Sequence, residues 1–68
     1  MNEIEIKKLA NLEALITERE MVLTRIKGME ALNTHRLSCG HSIAHDDDNF
    51  YAEAHELENI AARMRNEI

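Results

Sequence analysis

Sixty-eight residues allow one domain at most, at a size where a lone hydrophobic core is marginal. The chain is 44% hydrophobic but only 3% aromatic, with no proline and two glycines; its apolar side chains are mostly Leu, Ile, Met and Ala, which pack helices rather than sheets. Net charge is −5, and all of the excess lies in the second half: Met1–Ser38 holds six basic and six acidic residues, Cys39–Ile68 two arginines and seven carboxylates. That distribution argues against a phosphate-backbone ligand, which needs basic residues clustered on one face.

The first element reads as one helix from about Asn2 to Ser38. Asn2 can accept from the amide of Glu5 while Glu5 reaches back, a variant of the capping box, and Met1 and Ile6 stand at the positions of a hydrophobic staple. At 100° per residue the large apolar side chains fall on one stripe. Two interleaved seams follow its three-four spacing: Leu9-Leu12-Ile16-Arg19-Leu23-Ile26 and Leu12-Leu15-Arg19-Val22-Ile26-Met29. Arg19 sits in the middle of both. It either snorkels, with its stem on apolar surface and its charge in water, or sets register by pairing with a carboxylate across an interface. Asn33 is a second polar interruption near the turn.

Gly28 is the local objection to a continuous helix, since with Lys27 before it a C-terminal cap could form there. Met29, Leu32 and Leu37 keep to the apolar side beyond it, and an exposed glycine costs only about 1 kcal/mol relative to alanine. We therefore expect the helix to run through Gly28, with a bend there as a possible variant. Gly40 is the better stop, with Ser38-Cys39-Gly40-His41 as a left-handed C-terminal cap. The connection spans about 39–47, and Ile43 is expected to tuck beneath it. The run Asp46-Asp47-Asp48-Asn49 supplies N-cap candidates and charge against the dipole of the next helix.

The second helix is expected over about 48–66. Phe50, Leu57 and Met64 recur every seven residues, as do Ala54, Ala61 and Ile68, with Ile60 in the seam and Glu56, Glu58, Asn59 and Arg63 outward. The fold class is thus all-α, a single antiparallel helical hairpin with a long first and a shorter second helix. At 1.5 Å per residue the first is about 54 Å long and the second about 28 Å. Folding back from the turn, the second would cover the first only to around Arg19, leaving Ile4 to Ile16 bare. A second copy is the simplest cover, giving a four-helix homodimer whose interface is Leu9, Leu12, Leu15, Ile16, Arg19, Leu23 and Ile26.

The reactive side chains gather at the turn. His35 and Cys39 are spaced i, i+4, and His41 and His45 could complete a tetrahedral zinc shell. The spacing fits no standard finger, so the leading expectation is no metal and no cofactor, with a small zinc-binding protein as the alternative. Cys39 with a histidine and an aspartate is also the parts list of a thiol nucleophile, but a bare hairpin offers no water-excluding cleft, so the expectation is not an enzyme. A lone cysteine suits a reducing compartment. No secretory signal is evident, and no apolar run approaches the ~20 residues of a membrane span. A cytoplasmic location, with neither membrane nor nucleic acid as partner, is expected.

The turn and second helix carry a resemblance. Cys39-Gly40-His41-Ser42-Ile43, the Asp46–Asp48 run and Phe50-Tyr51-Ala52-Glu53-Ala54 are similar to small helical proteins of the lambdoid bacteriophage early region, encoded between the recombination and excision genes. The resemblance covers roughly the latter half of the chain. It implies a small early accessory protein, in the host cytoplasm, that acts on host or phage proteins through contacts during development. The functional expectation is accordingly a non-enzymatic protein-interaction or regulatory module with a further protein partner. Glu53, Glu56 and Glu58 form the candidate partner surface. A third reading makes that acidic surface a decoy for a basic, nucleic-acid-binding surface.

Overall fold

The structure, a computed structural model, describes residues 2–67. Two helices form an antiparallel hairpin: α1 spans Glu3–Ser38 and α2 spans Asp47–Glu67. At the start of α1 the side chain of Asn2 accepts from the Glu5 amide at 2.9 Å, and Glu3 and Glu5 face the positive end of the dipole. The staple through Met1 and the heptad partner Ile68 lie outside the described residues. Gly28 is an ordinary residue of α1, which continues unbroken through it.

The end of α1 is a Schellman motif. Gly40 has φ +79°, its amide donates to Leu37 and that of His41 to Arg36, at 3.1 and 2.8 Å. At the start of α2, Asp46 and Asn49 cap each other reciprocally: the Asn49 amide donates to Asp46 Oδ1 at 3.1 Å and the Asp46 amide to Asn49 Oδ1 at 3.0 Å. Asp47 and Asp48 fill the first turn, where the dipole favours negative charge.

Between the caps the connection runs back along α1 instead of leaving its end. Asn33, half-buried, does most of this: its Oδ1 accepts from the amides of Ala44 and His45 at 3.0 and 2.9 Å, and its Nδ2 donates to the His45 carbonyl at 2.8 Å. Arg36 Nε donates to the Ser42 carbonyl at 2.7 Å. The loop thereby descends more than a turn before α2 begins, and α2 reaches further than expected. Asn11 meets Glu67 at 3.3 Å, so cover extends to Asn11 rather than stopping near Arg19, and the bare segment of α1 is its first two turns. Ile43 does not tuck beneath the loop; it is exposed, and the loop is held to α1 by the Asn33 and Arg36 side chains instead.

The core is small. Leu15, Val22 and Met29, seven residues apart on α1, are buried, and on α2 only Ile60 is, at 1% exposure. Ile26, Leu57 and Met64 pack against Leu15, Val22 and Ile60 and remain half-buried. On α2 the seam is therefore centred on Ile60, while Phe50, Leu57 and Met64 flank it.

Candidate interaction surface

Four heptad rows lie side by side along α1, each 40–60° around the helix from the next. The core row is Leu15, Val22 and Met29. On one side of it run Asn11, Glu18 and Arg25, and all three reach across to α2: Asn11 to Glu67, Arg63 to Glu18 at 2.9 Å, and Arg25 to Glu53. On the other side run Leu12, Arg19 and Ile26, and beyond them Leu9, Ile16 and Leu23, which are 48, 40 and 37% exposed. Helix α2 has the matching handedness. Arg63 and Glu67 lie toward the polar row, and Phe50, Leu57 and Met64 lie toward Leu12 and Ile26. One broad face of the hairpin thus carries the polar clasps, with Met21 and Leu32 exposed beside them, and the opposite face carries apolar side chains of both helices, interrupted by Arg19.

The clasps are unequal. Arg25 grips Glu53 with two nitrogens, Nε at 2.9 and 3.0 Å from the two carboxylate oxygens and Nη2 at 2.6 Å, the planar fork geometry that suits a carboxylate. The hydrogen bonds from Arg25 hold the Glu53 carboxyl below the usual carboxylate range, against an opposing push from burial. The same hydrogen bonds raise Arg25. The Glu18–Arg63 pair is about half-exposed on both sides, where such a bridge contributes little.

The sequence-derived interface needs one correction. Leu15 is 7% exposed and belongs to the hairpin's own core with Val22 and Ile60; the helix turns it toward α2, so it is not free for another chain. Leu9, Ile16, Arg19 and Leu23 are exposed, and Leu12 and Ile26 are half-buried at the margin. Among the described residues Arg19 meets its neighbour Glu20, at 3.5 Å. The acidic surface is corrected too: Glu53 is held inside the hairpin by Arg25, leaving Glu56 and Glu58 exposed, with Glu58 3.4 Å from His55. The clasp residues Asn11, Glu18 and Arg25 were missed. Their signal was present as polar side chains at strict seven-residue spacing beside the core row.

At the turn, Cys39 Sγ is 3.8 Å from His35 Nε2, one contact between the C-cap and the last turn of α1. The Asn33 clamp fixes the backbone of His45, and His41 follows Gly40 into the exposed loop. No group of three or more His, Cys, Asp or Glu is arranged to hold a metal ion among the described residues. The same residues include no helix long and apolar enough to cross a membrane. No family model matches the chain, and no curated protein or solved structure matches it either.

Proposed function

We propose that this chain is a non-enzymatic protein-interaction module that works as a homodimer, with the apolar broad face as its dimer interface. The observation that carries the reading is the asymmetry of the two faces: three polar clasps on one, and Leu9, Ile16 and Leu23 exposed beside Leu12, Ile26, Leu57 and Met64 on the other. Monomers avoid contiguous apolar surface of this kind.

Size supports the same reading. A compact chain of this mass exposes roughly 4,400 Å² and one of this length has a radius of gyration of about 11 Å; the hairpin exposes 5373 Å² with a radius of 16.6 Å. The excess of about 1,000 Å² is close to what each partner contributes to a standard interface. A core as small as Leu15, Val22, Met29 and Ile60 needs its cover whenever the chain is folded, and a second copy is the one partner always present in equal amount. The surfaces left over are the clasped face and the outer side of α2 with Glu56 and Glu58. They are what the module offers a further protein, consistent with the contact-based role that the phage early-region resemblance implies.

If folding and association are one event, the thermal midpoint rises with protein concentration, by several degrees between roughly 1 and 100 µM. A midpoint that stays fixed over that range contradicts the homodimer.

A further inference from the structure

The exposed seam of α1 contains its own register signal. Its positions alternate steps of three and four residues from Glu5 to Glu30, and the charged groups on it are Glu5, Arg19 and Glu30. When two copies of such a helix lie antiparallel, the steps must match layer by layer. A residue followed by a step of three therefore opposes one preceded by a step of three. Leu9, Ile16, Leu23 and Glu30 form the first kind, and Glu5, Leu12, Arg19 and Ile26 the second, so the permitted registers differ by whole heptads. Arg19 then faces Leu9, Ile16, Leu23 or Glu30 of the other copy and is never in layer with Glu5. One register in this set gives it a carboxylate.

We propose that a second copy of this chain covers the apolar face antiparallel, α1 on α1, in the register that sets Arg19 of each copy against the partner's Glu30. The proposal rests on the homodimer reading above and adds its geometry. In this register Leu23 opposes the partner's Ile26. Leu12 opposes the partner's Leu37, a residue 61% exposed in the single hairpin that is otherwise without a role. Ile16 opposes the partner's Asn33, the half-buried residue that clamps the loop. Arg19 is available for the pairing, because its contact to Glu20 is long and both side chains are exposed. The other registers set Arg19 against an apolar side chain, with no carboxylate of the partner in its layer.

The test exchanges the charges. By symmetry an Arg19→Glu homodimer contains two like-charge pairs, as does a Glu30→Arg homodimer. Sedimentation equilibrium should show dimerisation weakened at least tenfold in both single variants and restored to within about threefold in the double variant Arg19→Glu, Glu30→Arg. An equimolar mixture of the two single variants should also recover dimer mass and helicity, because the heterodimer pairs both charges, and this holds even if either variant alone unfolds. Single variants that dimerise normally, or a mixture that does not recover, would overturn the register. A wild-type chain that sediments as a monomer would instead overturn the homodimer reading itself.

Discussion

Glu53 shows how one side chain can be claimed by the fold before it is free for function. From the sequence it is one of several carboxylates on an acidic helix; in the structure it is half-buried and locked to Arg25. Its depressed carboxyl links the clasp to pH. A carboxylate whose folded pKa lies below its unfolded one contributes stability above the unfolded value, and that contribution is lost as pH falls through the folded one. Glu53→Gln should therefore be less stable than wild type at neutral pH, and the two should converge in denaturant titrations below roughly pH 4. A gap of constant size down to roughly pH 2 would mean the clasp is not electrostatic. Arg25 was legible as a charge but not as Glu53's partner, because a pairing between residues 28 apart depends on how far the loop returns along α1.

At the scale of the elements, both helices, their order and the break between them can be read from periodicity and from Gly40 and the aspartate run. The register between them cannot. It is set by Asn33, whose three hydrogen bonds to Ala44 and His45 pull the connection back along α1. In the sequence Asn33 is only a polar interruption of an apolar stripe, and the donors it satisfies belong to backbone, which carries no sequence signature. The consequence is large: cover reaches Asn11, and Leu15 passes from candidate interface to core. Asn33→Ala leaves two backbone amides and a carbonyl to find other partners, a loss of about 1–3 kcal/mol. Urea unfolding should show that loss, with amide exchange fastest over 40–46 and at the start of α2. A variant as stable as wild type would make the clamp incidental.

For the molecule as a whole, the Cα extents of 58 × 17 × 9 Å describe a flat two-helix layer, and a layer with one apolar face is half of a packed structure. The heptad rows made that face visible in the sequence, but which row faces α2 and which faces outward depended on the register just described. The direct measurement is sedimentation equilibrium at micromolar concentration, on wild type and on Ile16→Glu with Leu23→Glu. Both changes fall on side chains that the single hairpin leaves exposed, so they test association without opening the chain's own core. Wild type should sediment at twice the 7.8 kDa chain mass, and the variant should lose the dimer, with or without loss of helicity. A fully helical wild-type chain sedimenting at 7.8 kDa, or a variant that keeps the dimer mass, would contradict the homodimer.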